Sequence, residues 1–209
     1  MKRKNVPLTV IRRLPRYYRY LGDLLKSGCM RISSKELSER MRVTASQIRQ
    51  DLNYFGGFGQ QGYGYNVEAL YREIGDILSI NNTCDAFVVG IGHLGTALVN
   101  HLNFGLMGVR LTGLFDINPE VVGTYMQGIR VAHIDEAGEY IERLKPQIAI
   151  LTLPKTETLP VFSLFVSHGV KGFWNFSNME IVPPDDVVVE NVHLSDSLMT
   201  LRYRVFQQQ

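Results

Sequence analysis

Cysteine is scarce in this chain, and long apolar runs are absent from it. The 209 residues include two cysteines, Cys29 and Cys84, which are far apart in the sequence. This excludes a disulfide framework and the paired cysteines of redox-active or zinc-binding CxxC motifs. No stretch approaches the roughly 20 apolar residues that cross a bilayer, and the charged start MKRKNVPLTV has no apolar run behind it. We therefore expect a cytoplasmic protein without a membrane partner.

The charge is unevenly distributed along the chain. Residues 1–80 contain 14 Lys and Arg against 7 Asp and Glu, whereas residues 81–209 contain 8 against 13. The two parts thus carry net charges of +7 and −5, which together give the +2 of the whole chain. A basic part joined to an acidic part indicates a module that binds a polyanion, attached to a second domain. The alternative is an uneven surface charge without a function.

Two short helices in the basic part form a helix-turn-helix pattern. Ser33 or Ser34 precedes Glu36 at the start of the first, and Thr44 precedes Gln47 as a capping box at the start of the second. The second helix would enter the major groove, where Arg can bind guanine and Gln or Asn can bind adenine. The alternative is an amphipathic helix pair without a ligand. The candidate DNA-binding residues of this helix and of the basic helix before it are Arg12, Arg13, Arg16, Ser46, Gln47, Arg49, Gln50, Asn53 and Tyr54.

The stretch YFGGFGQQGYGYNV, residues 54–67, follows this recognition helix and contains five glycines and five aromatic residues. Winged helices have a β-hairpin at this place, and glycine permits positive φ and close approach of the backbone to phosphates. An amide at the hairpin tip can donate to acceptors in the minor groove. The stretch is therefore predicted to be a wing, with a flexible linker as the alternative. Its candidate DNA-binding residues are Gly59, Gln60, Gln61, Gly62, Tyr63 and Gly64.

A dinucleotide-binding pattern opens the acidic part. A predicted buried strand precedes Gly90-Ile91-Gly92-His93-Leu94-Gly95, and a predicted helix follows it. A second strand, VRLTGLF, ends at Asp116, 26 residues past Gly90, against an expected spacing of about 20. The carboxylate of Asp116 would accept both ribose hydroxyls and repel a 2′-phosphate, so we expect NAD(H) as the cofactor. A Rossmann-like domain without a nucleotide is the alternative.

Further strands are predicted at GIRVAH, QIAILTL, VKGFWNF and DVVVENV, with helical stretches near 136–144 and 157–168. This alternation predicts an α/β fold with a parallel, doubly wound sheet. Ligands of such sheets bind beyond the carboxyl ends of the strands. The candidate cofactor-binding residues are therefore Gly90, Ile91, Gly92, His93, Leu94, Gly95, Asp116, Ile117, Thr152, Leu153, Pro154, Asn175, Phe176 and Ser177.

The tail LSDSLMTLRYRVFQQQ is predicted to be a helix that packs on a second subunit. Ser195 is its expected cap, and Leu194, Leu198, Leu201 and Val205 form one apolar stripe. A homodimer also suits a DNA reader, because operators commonly have two-fold symmetry. Packing of the helix on its own domain is the alternative. The predicted division is 1–80 for the winged helix, 81–192 for the Rossmann domain and 193–209 for the dimerisation helix.

The whole chain resembles the Rex family of redox-sensing transcriptional repressors. The resemblance runs from RLPRYYRYL and ISSKELSERMRVTASQIRQDLNYFG through GYGYNV to GIGHLG, FDIN, KGFWNFS and VVVENV. It implies a winged-helix head on a Rossmann domain, and a homodimer whose C-terminal helices are swapped between subunits. It also implies that NADH binding releases operator DNA while NAD+ permits binding, and that the targets are fermentation and respiration genes.

The sequence departs from the family pattern at two places. Family members commonly have Lys at Gln50, Ser at Asn53, and Lys-Arg or Thr-Arg at Gln60-Gln61, so we expect a lower DNA affinity or a different operator. The family's relay of tyrosine, aspartate and arginine falls here on His101, His193 and Arg19. Histidine cannot provide an anion for Arg19, and imidazole titrates near ~6.5. The hypothesis is a weakened or pH-dependent NADH response, with the Rossmann part acting mainly as a dimer scaffold; the alternative is that both histidines merely fill space.

A dehydrogenase is the main competing class for a protein that binds NAD. Yet residues 81–209 span barely one nucleotide-binding fold, with no second domain for a substrate and no catalytic His/Asp or Ser/Tyr/Lys set. We therefore expect no enzymatic activity and no small-molecule substrate. We also expect no metal, because His93, His101, His133, His168 and His193 lack ligand spacing. A further alternative is a DNA-binding protein that holds another nucleotide-containing ligand, such as coenzyme A.

Overall fold

The computed structural model describes residues 6–55, 59–60 and 64–207, with residues 59 and 60 described by their backbone alone. Contacts within the chain divide it into two compact units, residues 1–81 and 82–209. No helix within the described ranges is long and apolar enough to cross a lipid bilayer.

Within its described residues, the first unit combines five helices with a small antiparallel sheet. The strands lie in the order β1-β3-β2, and Tyr65 in the central strand is the register partner of both Ile32 and Gly59. In chain order the elements are α1 Leu8–Ile11, α2 Leu14–Lys26, β1 Arg31–Ile32, α3 Ser34–Met41, α4 Ala45–Asn53, β2 Gly59–Gln60, β3 Gly64–Asn66 and α5 Val67–Ile77. The sheet and helices α3 and α4 form the predicted winged helix-turn-helix.

Local capping explains where the two central helices begin. Ser33 accepts a hydrogen bond from the Glu36 amide, and the Glu36 carboxylate accepts one from the Ser33 amide, so the predicted capping box of α3 is complete. At α4 the Thr44 hydroxyl accepts from the Gln47 amide at 3.1 Å, as predicted. The expected return bond, in which the Gln47 side chain would accept from the Thr44 amide, is not formed, and that side chain donates to Asp51 instead.

Helix α5 was not anticipated from the sequence, and it completes the core of the first unit. Its start is capped by Asn66, whose side chain accepts from the Ala69 amide at 2.8 Å. It packs against α2, where the rings of Tyr18 and Tyr71 stack with their centroids 4.2 Å apart. Helix α2 has Pro15 in its first turn, and its buried face consists of Leu14, Tyr17, Leu21 and Leu24.

The second unit is built on a seven-stranded sheet in the order β10-β9-β8-β4-β5-β7-β6. The strands are β4 Cys84–Val89, β5 Val109–Asp116, β6 Tyr125–Met126, β7 Ile129–His133, β8 Ile148–Leu151, β9 Gly172–Asn175 and β10 Val188–Asn191. All neighbours pair in parallel except β6 and β7, so the expectation of a wholly parallel sheet needs correction at that edge. The turn between them has positive φ at Gln127 and Gly128, 50° and 78°, as a two-residue hairpin turn requires.

Helices cover both faces of this sheet and make the fold doubly wound. They are α6 His93–His101, α7 Ala137–Leu144 and α8 Lys155–Ser167, whereas the C-terminal α9 Leu194–Phe206 follows β10 and has no buried residue. Alternate residues of β4 serve the two faces, since Phe87 and Val89 belong to one core cluster and Val88 to another. The chain leaves β4 toward β5 on one side and later returns to β8 on the other, so the topological switch point lies between β4 and β8.

Candidate nucleotide and DNA binding sites

The exposed face of α4 carries most of the predicted base-reading residues. Four of them are fully exposed and Tyr54 is half-buried, and together they line one shallow concavity of about 560 Å³. The spacing of three, four and seven residues on a helix explains why they share a face. The residues of this reading face are Ser46, Arg49, Gln50, Asn53 and Tyr54. Arg49 also donates to the Ser34 hydroxyl of α3 at 3.1 Å.

Two predicted DNA-binding residues instead form hydrogen bonds with a third residue of this chain. Arg13 donates through Nε and Nη2 to the two carboxylate oxygens of Asp51, both at 2.7 Å. Gln47 donates to the same carboxylate at 2.8 Å. The side chains of Arg13 and Gln47 are therefore directed to a buried acid on α4. Sequence reasoning missed Asp51 because a lone acid in a short helix carries no local signal of its distant partner.

The two other predicted cations lie on the surface of the first unit. Arg12 and Arg16 are exposed, and Arg16 donates to the backbone oxygen of Met41.

The predicted wing contains Gly64, which has a φ of +70°. A side chain there would bring its Cβ to 2.7 Å from the Ile32 oxygen, so both conformation and space require glycine. Gly59 and Gln60 form β2, whereas Gln61, Gly62 and Tyr63 lie outside the described residues.

The second unit contains a cavity of about 770 Å³ at the carboxyl ends of its central strands. This is the place where the sequence predicted a cofactor, and ten of the fourteen candidate residues line it. The lining candidates are Gly90, Gly92, Leu94, Asp116, Ile117, Thr152, Leu153, Pro154, Phe176 and Ser177. The other four, Ile91, His93, Gly95 and Asn175, do not line the cavity.

The glycine loop between β4 and α6 has the geometry of a phosphate cradle. Gly90 has a φ of +93° and turns the chain at the end of β4. A Cβ at Gly95 would lie 2.0 Å from the Gly90 oxygen, so α6 can approach the loop only with glycine at that position. A Cβ at Gly92 would meet no atom within 4 Å, so this residue leaves open space beside the cavity at the N-terminus of α6. The loop therefore fits a pyrophosphate, whose charge the amides of a helix start favour.

Asp116 presents a carboxylate at the cavity wall. Its Oδ2 accepts from the Ile91 amide at 2.5 Å, and its Oδ1 accepts from the amides of Ile117 and Asn118 at 2.7 and 2.8 Å. Three backbone donors thus hold the carboxylate at the end of β5. This fixed orientation suits a group that accepts from ribose hydroxyls.

Asn175 has a structural place beside the cavity. It is fully buried, its Nδ2 donates to the Met179 oxygen and to Asn191 Oδ1, and its Oδ1 accepts from the amide and hydroxyl of Ser177. All of its hydrogen-bonding groups are therefore used within the protein. The residues that follow it, Phe176, Ser177 and Asn178, reach the cavity wall instead.

Several cavity residues were missed by the sequence analysis. Ile134 and Asp135 follow β7, so the rule that selected Asp116 could also have selected them. The residues on α8 carry no such signal, because they lie along one side of a helix and not at the end of a strand. The missed residues are Val89, Ile134, Asp135, Lys155, Glu157, Pro160, Val161, Leu164 and Asn178.

The three predicted switch residues lie in different elements. Arg19 is exposed on α2, His101 is exposed at the end of α6, and His193 precedes α9 as its N-cap residue. Ser195, the predicted cap, lies inside the first turn of that helix. His193 donates through Nε2 to the Glu180 carboxylate at 2.9 Å, so an anion adjoins this position although histidine itself supplies none.

The fold and these two sites define a class of protein, a winged helix-turn-helix unit joined to a Rossmann-type nucleotide-binding unit. Two family models match its parts. The model described as "Putative DNA-binding protein N-terminus" matches residues 5–53, and the model described as "CoA binding domain" matches residues 81–179.

Comparison with known proteins gives the family. A redox-sensing transcriptional repressor Rex of Caldicellulosiruptor saccharolyticus is 52% identical over 98% of this chain and 93% of its own. The crystal structure of RSP with β-NAD+ and operator DNA matches with a TM-score of 0.91 and 49% identity, over 98% of this chain and 94% of that one. The structure of RSP with β-NADH matches with a TM-score of 0.91 and 46% identity, over 98% and 96%. The chain belongs to the Rex family of redox-sensing transcriptional repressors.

Proposed function

We propose that this protein is a transcriptional repressor whose binding to operator DNA is controlled by the NADH/NAD+ ratio. The observation that carries the proposal is its similarity, over 98% of the chain, to a repressor crystallised with both β-NAD+ and operator DNA. The protein acts in the cytoplasm, where its DNA is, and it controls redox and fermentation genes. It is not an enzyme and turns over no substrate.

The DNA is bound by the winged-helix unit, residues 1–80. The reading face of α4 enters the major groove, where Arg49, Gln50 and Asn53 have donors and acceptors for base edges. Arg12 and Arg16 contact phosphates. The wing, with Gln60 and Gln61, lies along the minor groove. Since these two glutamines and Gln50 are uncharged, they contribute nothing to counterion release, and binding depends less on salt than it would with cations there.

NAD(H) is held by the Rossmann unit, residues 81–192. The glycine loop and the start of α6 bind the pyrophosphate, and Asp116 accepts from the adenosine ribose and disfavours NADP(H). The wall formed by Thr152, Phe176 and Ser177 lies toward the nicotinamide. The bound dinucleotide supplies the redox-dependent difference to which the protein responds, and the chain's own residues hold and orient it.

The protein is a homodimer joined through α9, residues 194–206. The apolar side chains of this helix are exposed in the single chain, with Leu198 at 66% and Tyr203 at 65%. Exposed apolar groups on one helix are typical of an interaction surface. A dimer places two reading faces on one duplex, as a two-fold symmetric operator requires.

The DNA for the test is a duplex that the protein itself selects from a random pool. Binding to this duplex is measured at stated salt with NAD+, with NADH, with coenzyme A and with no ligand. We expect tight binding alone or with NAD+, and release by NADH. Trp174 fluorescence should fall on NADH addition by energy transfer. Quenching without release would favour a repressor with a weakened NADH response, in which the Rossmann unit is mainly a dimer scaffold. No quenching, with release by coenzyme A, would contradict the NAD(H) assignment.

A further inference from the structure

Asp51 is the centre of a buried polar cluster that joins α4 to the first helices of the chain. The residue is 0% exposed, although it lies on the helix that carries the reading face. Its carboxylate accepts two hydrogen bonds from Arg13 at 2.7 Å each, one from the Tyr17 hydroxyl at 2.8 Å and one from Gln47 at 2.8 Å. Four donors therefore satisfy one carboxylate.

The hydrogen bonds around Asp51 favour its charged form. Burial alone would raise the pKa of Asp51, but the hydrogen bonds from Arg13, Tyr17 and Gln47 outweigh burial and hold the pKa below its ordinary value. The same contact raises the pKa of Arg13. A buried charge that loses one partner is costly, so the cluster is stable only when all of its members are in place.

Helical geometry places this cluster beside the reading face. At 100° per residue, Gln47 and Asp51 form a strip of α4 that lies between the buried stripe of Ile48 and Leu52 and the exposed Ser46, Gln50 and Asn53. A hydrogen-bonded strip there resists rotation of α4 about its own axis. Apolar packing of Ile48 and Leu52 is less directional than a bidentate Arg–carboxylate pair.

We propose that Asp51 is a positioning residue for DNA recognition, which sets the rotation of α4 and withholds Arg13 and Gln47 from the DNA. The proposal rests on the DNA binding proposed above, and it concerns which residues read and which ones orient. The proposal predicts that Arg13 raises the affinity for the selected duplex because it helps to orient α4. It also predicts that Arg13 adds nothing to the non-specific attraction between protein and phosphates.

A lysine at position 13 distinguishes a phosphate contact from a positioning contact with Asp51. A phosphate contact requires a positive charge, which lysine supplies, whereas a two-bond pair with a carboxylate requires the planar guanidinium. We would compare Arg13→Lys and Arg13→Gln with Tyr17→Phe, which removes one donor and keeps the ring. Lys26→Gln, which removes an exposed cation of α2, is the control for loss of a positive charge.

Binding is measured by fluorescence anisotropy on the selected duplex and on a scrambled duplex, across a salt series, after circular dichroism has shown which variants fold. We expect both Arg13 variants to lose about tenfold or more in affinity for the selected duplex, the size of one or two misplaced base contacts. Their affinity for the scrambled duplex and the salt slope should stay at the wild-type values. Tyr17→Phe should show a smaller loss of the same kind, and Lys26→Gln should show no loss that is specific to the selected duplex.

Three results would overturn the proposal. Wild-type binding by Arg13→Lys would show that charge alone matters at this position. A salt slope reduced by about 0.9 per site in Arg13→Gln would identify a phosphate contact. If the wild-type protein selects no duplex, the proposed function fails and this inference fails with it, whereas either of the first two results leaves the proposed function intact.

Discussion

Each glycine in the loop between β4 and α6 meets a different physical requirement. Gly90 needs a positive φ, and Gly95 needs space, because a Cβ would lie 2.0 Å from a backbone oxygen. Gly92 needs neither for folding, since a Cβ there meets no protein atom within 4 Å. Among the described residues no atom requires glycine at position 92, so the space there is open to a group that approaches from the cavity side.

Alanine substitutions should separate these requirements. We expect Gly95→Ala to destabilise the second unit by about 2–3 kcal/mol through overpacking. Gly92→Ala should leave stability within about 0.5 kcal/mol of the wild type, and it should weaken NADH binding at least about tenfold because the methyl group occupies the place of a phosphate. Urea denaturation and NADH titration by Trp174 fluorescence measure the two effects. A Gly92→Ala protein with wild-type NADH affinity would place the pyrophosphate elsewhere.

Asn175 illustrates how a residue at a strand end can serve the fold rather than the ligand. It is fully buried and bonds to Met179, Asn191 and Ser177, so it closes the segment 176–181 against the ends of β9 and β10. Strand-end position alone made it a cofactor candidate. Position cannot tell whether a side chain turns toward the cavity or toward the neighbouring strand, because that depends on the partner that Asn191 provides.

Removal of the Asn175 side chain should therefore affect stability directly. We expect Asn175→Ala to lower the free energy of unfolding of the second unit by about 2–4 kcal/mol, since it leaves several buried groups without a partner. Asn178→Ala, an exposed neighbour at the cavity wall, should change it by less than about 0.5 kcal/mol. Urea denaturation followed by Trp174 fluorescence makes the comparison. Unchanged stability with loss of NADH binding would instead identify Asn175 as a ligand contact.

Helix α4 is held to the start of α2 by charge as well as by apolar packing, which makes its attachment sensitive to acid. The pKa of Asp51 is lower in the folded protein than its ordinary value of ~3.9. A group with a depressed folded pKa contributes stability that is fully present above its unfolded pKa. That contribution is lost as the pH falls through the folded pKa.

The pH dependence of Asp51→Asn should reveal this contribution. At pH 7 we expect the variant to be less stable than the wild type by about 2 kcal/mol or more, because hydrogen bonds to a charged acceptor are lost. The difference should persist down to about pH 4 and disappear at lower pH, where the wild-type carboxylate becomes protonated. Thermal unfolding of both proteins between pH 7 and pH 2.5 measures it. A difference that stays constant to the lowest pH would mean that Asp51 is not charged in the fold.

The helices, strands and loops of this protein were predictable from the sequence where the pattern involves residues close together in the chain. They were less predictable where it involves distant residues. The capping box at Ser33, the glycine loop and the strand that ends in Asp116 all follow from residues a few positions apart. Arg13 and Asp51 are 38 residues apart in the sequence, so no spacing rule could connect them, whereas the contact of Gln47 with Asp51 has the i,i+4 spacing of a helix and was open to prediction. Helix α5 and the β6 edge strand were missed because an amphipathic stretch after a glycine-rich segment, and a Gln-Gly turn, are weak patterns on their own.

The complete assembly depends on α9, whose apolar residues occupy two opposite sides of the helix. Leu194, Leu198, Leu201 and Val205 form one stripe, and Met199, Tyr203 and Phe206 form a second on the far side, with all seven exposed in the single chain. A helix that is apolar on two sides is typical of one buried between two surfaces. One chain offers neither surface among its described residues, so a partner subunit is the expected source of both.

A charge on the first stripe should separate the subunits and thereby weaken DNA binding. We expect Leu198→Lys to yield a monomer by light scattering, because it would bury an unpaired ammonium group. Its affinity for the selected duplex should fall by about 100-fold or more, since the second reading face is no longer linked to the first. Thr200→Lys, which lies in the polar strip between the two stripes, should remain dimeric and retain most of its affinity. If Leu198→Lys stayed dimeric with full affinity, the subunits would meet through another surface, and α9 would need a different role.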